Sequence, residues 1–323
     1  MKKGKISYCI VGIIILFIAV VFIRLAAVTS IAITNKANEK YMPMYINEER
    51  GYSSPWYKNG LHIVDEGFID EIAKLKRTDK AVVALGSSMS RIPFNEDNAA
   101  LADGYNYIFL VCGNGCYRSD RIFINLLNEE DLIDKDKLFK YEISFSTFRN
   151  TDMTIAESSI DKWGCYSVAD DLSVKKSTVL KVPLYELNKD LLRIQNVGEL
   201  YFTENNFCNN YFNYEAVAAS CNMEDYMKAS VKDDLLFLSD KAKCVVELSP
   251  LPEGLLNTEY GKKLNTYIDD ELIPFLDGEQ IPYVDYRFDY DDSEFADGVH
   301  LSYNAGVSYT KKLNDDLNKI IEN

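Results

Sequence analysis

The sequence predicts a three-layer α/β/α sandwich on a roughly five-stranded parallel sheet, and three observations predict it. Five short apolar runs recur along the chain: Ala81–Leu85, Tyr107–Val111, Glu142–Phe145, Cys244–Leu248 and Pro282–Tyr286. Longer segments with apolar residues at helical spacing separate them, at Arg118–Leu127, Tyr226–Leu238, Thr258–Phe275 and Asn304–Ile321. The runs are continuous and do not alternate with polar residues, as strands covered on both faces require. At 323 residues and 47% hydrophobic content, the chain is long and apolar enough to build that core.

The first element is an expected membrane helix. Ile6 to Ile23 holds no charge, and at ~1.5 Å per residue it comes close to a hydrocarbon layer roughly 30 Å thick. Lys2, Lys3 and Lys5 precede it, which places the N-terminus in the cytoplasm and the body outside. Arg24 can snorkel to the far interface, and Leu25–Ile33 can extend the helix into the headgroups. A cleavable signal peptide competes, since Ser30-Ile31-Ala32 resembles a cleavage site; the apolar run is longer than the usual ~7 to 15 residues, which favours an anchor.

Residues 1–35 are therefore read as the anchor, 36–60 as a polar, aromatic stem with Pro43 and Pro55, and 61–323 as the catalytic domain. Leu61–Leu75 opens that domain as a helix with Ile63, Phe68, Ile72 and Leu75 on one face, and His62 at its start is read as structural. The interval between the third and fourth strands, Thr147–Asp240, is too long for a simple crossover and reads as a cap-like helical insertion (147–240). Within it, Tyr211, Phe212 and Tyr214 either line a sugar cleft or pack a core. The last helix presents Val307, Thr310, Leu313, Leu317 and Ile320 on one face, with Asn304 as its cap.

A net charge of -15 leaves no surface for neutralising phosphates, so nucleic acid is not an expected partner. The same charge repels anionic headgroups, and membrane attachment falls to the N-terminal segment. Of seven cysteines, Cys9 lies in the apolar helix, Cys244 reads as a small buried hydrophobe, and Cys208 with Cys221 would close a short loop in an oxidising compartment. Cys112 and Cys116 find no second pair or histidine cluster to complete four ligands, so neither a metal nor an organic cofactor is implied.

Two stretches carry chemistry. Asp297 and His300 stand in an Asp-x-x-His spacing before the last helix, where the carboxylate can reach one imidazole nitrogen and leave the other facing a nucleophile. Ala84-Leu85-Gly86-Ser87-Ser88 ends the first strand, and Gly86 suits a tight turn that presents a hydroxyl. A serine becomes a nucleophile when a neighbouring base takes its proton. The stretch is not a G-x-S-x-G elbow, because residue 90 is serine. Arg91 either binds a substrate phosphate or carboxylate or pairs with an acidic neighbour.

These stretches resemble the SGNH or GDSL-like hydrolases and acyltransferases, whose fold is a flavodoxin-like α/β/α sandwich. Their first block, Gly-Asp-Ser, resembles Gly86-Ser87-Ser88 and implies Ser88 as nucleophile; their last, Asp-x-x-His, resembles Asp297 to His300. The second block, at Cys112-Gly113-Asn114-Gly115, implies an oxyanion hole of the Ser88 and Gly115 amides, with Asn114 as a further donor. The third, Gly-x-Asn-Asp, is matched less fully by Phe148-Arg149-Asn150-Thr151-Asp152, which offers Asn150 for the same role. Within the superfamily the chain is most similar to the membrane-anchored proteins of lipoteichoic-acid D-alanylation, with Leu248-Ser249-Pro250-Leu251-Pro252 resembling their proline-rich stretch.

The resemblance implies movement of an acetyl or D-alanyl group on a cell-envelope polymer through an acyl-serine intermediate. It also implies an envelope glycopolymer or acyl carrier as substrate, and a membrane-bound O-acyltransferase as possible partner. The alternative is a catalytically inactive docking or polymer-binding module of an envelope acylation system.

Overall fold

The computed structural model describes residues 2–38; 71–150 other than 92, 96, 97, 113 and 114; 166–176; 187; 191; and 213–322 other than 297. The expected stem, His62 and most of the Leu61–Leu75 helix lie outside them. So do Cys208, Tyr211, Phe212 and much of the expected cap. Helix α1 (Lys2–Asn38) contains the stretch Ile10–Ser30, of mean hydropathy 3.0, long and apolar enough to cross a membrane. A signal segment would meet the same measure of length and apolarity.

The globular body begins with a helical turn at 71–75, whose Ile72 and Leu75 are buried. There follow β1 (Ala81–Ser87), α2 (Ser88–Arg91), β2 (Asn106–Cys112), α3 (Tyr117–Glu129) and β3 (Lys137–Ile143). A hairpin of β4 (Tyr166–Val168) and β5 (Val174–Lys176) precedes α4 (Tyr214–Ala219), α5 (Asp225–Lys241) and β6 (Lys243–Leu248). The chain continues through α6 (Glu253–Leu256), α7 (Glu259–Tyr267), α8 (Ile273–Glu279), β7 (Tyr283–Asp285) and α9 (Tyr303–Glu322).

Five parallel strands form the sheet in the order β2-β1-β3-β6-β7, a doubly wound arrangement in which ligands bind beyond the carboxyl ends of the strands. Side chains alternate across it. Val83, Leu85, Ile108, Leu110, Phe139, Tyr141, Val246 and Leu248 pack one face against α3, α5 and α7. Val82, Ala84, Phe109, Val111, Leu138 and Val245 pack the other against Ala305, Tyr309, Leu313, Leu317 and Ile321 of α9. Helix α5, although inside the interval 147–240, buries Val231, Leu235 and Leu238 in the first core and leads directly into β6.

Three local expectations are corrected. The third strand runs from Lys137 to Ile143 and not from Glu142, because Lys137, Lys140 and Glu142 interrupt its apolar pattern although every residue of the strand is buried. The segment Thr258–Phe275 is not one regular helix: a π turn at Ile268–Leu272 separates α7 from α8 and precedes Pro274, which has no N–H to continue the ladder. Asn304 is the second residue of α9, exposed, and not its cap.

Candidate active site

The turn that carries Ser88 is formed where β1 stops. Ser87 is the last strand residue and Ser88 the first of α2, so the chain reverses from extended to helical between them. Ser88 is half-buried between the buried Ser87 and Met89, so its hydroxyl remains accessible. Gly86 makes this possible on two counts. Its φ is +144°, and a Cβ there would lie 2.4 Å from Glu142 Oε2, so only glycine lets the Glu142 side chain pass over the strand.

His300 comes from the loop between β7 and α9. A 3₁₀ turn, Asp292–Glu294, is capped reciprocally by Asp291 and Glu294, and Phe295 then pairs with Leu301 as an isolated antiparallel bridge. The Ala296 N–H donates to the His300 carbonyl at 2.7 Å, and the Ser302 N–H donates to the Glu294 carbonyl at 2.7 Å. These bonds close the loop upon itself just before α9. The Arg287 side chain, almost fully buried, anchors the loop's start by donating to Asp285 and, at 2.7 Å, to Asp269 Oδ1.

The two ends meet: His300 Nε2 lies 2.9 Å from Ser88 Oγ, although the residues are 212 apart in sequence. This is hydrogen-bond reach for a base and the hydroxyl it would deprotonate. Asp297, the expected third member, lies outside the described residues, as do Gly113 and Asn114.

The other expected residues are placed differently. The Gly115 N–H is turned to the Cys112 carbonyl at 2.9 Å, so the amide expected to donate to an oxyanion is already engaged. Gly115 supplies the absence of a side chain, since a Cβ there would lie 2.4 Å from the Gly86 carbonyl oxygen. Asn150 is exposed and its N–H donates to Ser220. Arg91 is buried, with its guanidinium 4.6 Å over the Phe109 ring, and presents no open anion site. Cys221 is a free thiol, so it forms no loop-closing disulfide, and burial pushes the Cys244 thiol up to about 12.

The sequence reading missed a layer of buried polar side chains beneath the serine. Glu142 Oε1 accepts from Ser87 Oγ at 2.7 Å, and Oε2 accepts from the Ser87 N–H at 2.9 Å and from Ser90 Oγ. Ser87 Oγ in turn accepts from the Met89 N–H at 3.1 Å. Lys140 Nζ donates to Ser90 Oγ at 2.9 Å and pairs with Glu247, whose other oxygen accepts from Tyr309 Oη. Burial and the Glu247 charge hold the Tyr309 phenol well above its usual range, so it stays a donor. The available signal was a charged residue within an otherwise apolar strand, Lys140 and Glu142 in β3 and Glu247 in β6, since buried charges must be paired. A cleft of about 770 Å³ between α4, α5 and α7 is separate: neither Ser88 nor His300 lines it.

No protein family matches the chain by sequence, and no curated protein does. Among solved structures, a carbohydrate acetylesterase of Sinorhizobium meliloti aligns over 75% of this chain and 99% of its own, at 9% identity and a TM-score of 0.39. The protein YxiM of Bacillus subtilis aligns over 74% of this chain at 8% identity and a TM-score of 0.35; the aligned part spans 56% of that protein. What the site can do chemically follows from its own geometry.

Proposed function

We propose that the chain is an SGNH-type serine esterase or O-acyltransferase, and the observation that supports this best is the 2.9 Å approach of His300 Nε2 to Ser88 Oγ at the carboxyl end of β1. Ser88 Oγ bonds to the carbonyl carbon of an acyl ester as its proton passes to His300. The negative charge that develops on the carbonyl oxygen is met by the Ser88 amide, at the first position of α2, where backbone N–H groups have no partner within the helix. Collapse breaks the bond to the leaving alcohol, which takes the proton back from His300. Water, or the hydroxyl of an acceptor sugar, then repeats the sequence on acyl-Ser88. Asp297 is assigned to holding the imidazole in the tautomer this requires, with Asn114 as a further oxyanion donor.

The finer reading places this chemistry outside the cell. In it, α1 anchors the protein with Lys2, Lys3 and Lys5 on the cytoplasmic side. The acyl group is acetyl or D-alanyl, and the acceptor is a hydroxyl of a cell-envelope polymer. The engaged Gly115 amide favours the second reading, a docking or polymer-binding module that has kept the fold without the reaction.

The test uses the full-length chain in detergent, with a fluorophosphonate probe and a short acyl ester. Ser88→Ala is expected to abolish labelling, and His300→Ala to slow turnover by at least about a thousandfold. Equal labelling of Ser88→Ala and the parent would overturn the assignment. Cells that keep their envelope acylation with His300→Ala in place would favour the docking module.

A further inference from the structure

We infer that Glu142 is the positioning residue of the nucleophile turn, and that the buried chain Glu142–Ser90–Lys140–Glu247–Tyr309 ties that turn to the helix following the base. The inference rests on the reading of Ser88 as nucleophile.

Glu142 grips both sides of Ser88. On one side it accepts from the backbone and the hydroxyl of Ser87; on the other it accepts from the hydroxyl of Ser90. Ser87 Oγ extends the grip by accepting from the Met89 N–H at 3.1 Å. Residues 87, 89 and 90 are thereby held to one carboxylate while Ser88 alone is left half-buried and free to react.

The carboxylate arrives from the neighbouring strand. Register pairs Leu85 with Tyr141, so Glu142 stands beside Gly86, and it pairs Glu142 with Glu247 on the far side. Glu142 and Glu247 are 1% and 0% exposed, and Lys140 between them is 1% exposed. Two acids and one lysine at that depth are costly unless every oxygen and proton is met. The carboxylates are met: Glu142 has three donors, and Glu247 has Lys140, Tyr309 and, at 3.5 Å, Ser249 Oγ, while Lys140 donates to Ser90 and Glu247.

Tyr309 lies in α9, the helix that begins three residues after His300. A second tie runs in parallel, since the Asn95 N–H, beyond α2, donates to Thr310 Oγ1 of α9 at 2.8 Å. The nucleophile and the base are thus indexed to one buried frame and not only to each other. A hydrogen bond between two half-buried side chains would not by itself fix their separation, whereas a shift of about 1 Å in a catalytic pair can cost a hundredfold in rate.

The experiment measures fluorophosphonate labelling rate, kcat, KM and thermal unfolding on the full-length chain in detergent. Glu142→Gln keeps the shape but turns an amide toward hydroxyls that now donate. It is expected to lower the labelling rate and kcat by roughly tenfold to a hundredfold, with KM unchanged. Ser87→Asp is the signature: in the Glu142→Gln background it returns a carboxylate to the turn and restores part of the rate, while in the parent it sets two acids against each other and slows it. Should Glu142→Gln fail to fold, Ser90→Ala, which removes one contact of three, is expected to slow labelling severalfold. Parent labelling rates in Glu142→Gln or in a folded Ser90→Ala, or the same slowing by Ser87→Asp in both backgrounds, would overturn the inference and leave the serine assignment standing. A parent chain that does not label at Ser88 removes both.

Discussion

Strand β3 carries two clusters of buried polar groups on its opposite faces, and they are settled in opposite ways. On the α9 face, Lys140 and Glu142 are joined to Ser87, Ser90, Glu247 and Tyr309 by a continuous set of hydrogen bonds and an ion pair. On the other face the Tyr141 hydroxyl lies against the buried carboxyls of both Asp120 and Asp234, two acids of which Asp234 pairs with the nearby cation Arg121. Burial, followed by the charges of Glu142 and Asp234, pushes the Asp120 carboxyl well above its usual range. Burial pushes Asp234 up to about 7 even though Arg121 opposes the shift. The first cluster meets every charge with a partner, and the second favours protonated acids. The satisfied cluster is the one that touches the serine turn, so polar order is concentrated where position matters.

The largest effect is expected from breaking the satisfied cluster. Lys140→Met leaves Glu142 and Glu247 buried without their cation, and urea unfolding at neutral pH should show a loss of roughly 3–5 kcal/mol. The second cluster predicts a pH dependence with a definite sign. Because the folded pKa of Asp234 is raised, the stability it contributes is fully present below the unfolded value near 4 and is lost as pH rises through about 7. Unfolding free energy should therefore fall across that window with a slope of up to about 1.4 kcal/mol per pH unit, and Asp234→Asn should flatten it. An unchanged slope would mean that Arg121 keeps Asp234 ionised throughout.

Smaller effects sharpen the contrast. Gly86→Ala meets both the positive φ and the Glu142 carboxylate, and a loss of about 1–3 kcal/mol should accompany slower labelling at Ser88. Asp120→Asn replaces a carboxyl that burial pushes well above its usual range, so in urea unfolding it should cost less stability than Lys140→Met.

The difference between these clusters also explains what could be read from the sequence. The β1, β2, β6 and β7 strands, the final helix and the pairing of Ser88 with His300 were legible because apolar runs and the spacing of reactive residues are local signals. The start of β3 was not, since Lys137 and Lys140 look like surface residues until their partners are known. Those partners are remote: Glu142 bonds Ser87 across 55 residues and Lys140 bonds Glu247 across 107. Only the strand register brings them together. The surroundings of Gly115 were not legible for a related reason. The family resemblance offers its amide, whereas the structure adds a bond from that N–H to the Cys112 carbonyl and a close approach of the Gly86 carbonyl that leaves no room for a side chain.

The placement of α9 has a consequence for biosynthesis. The serine turn precedes the histidine by 212 residues, and the helix that completes its frame comes later still. At about 5–20 residues per second, a growing chain carries Ser88 for roughly 10–40 s before His300 is made. During that interval the His300 imidazole is not there to meet the hydroxyl, and α9 does not yet cover the polar face of the sheet. The Ser88–His300 contact and the cover over that face of the sheet therefore become available close together in synthesis.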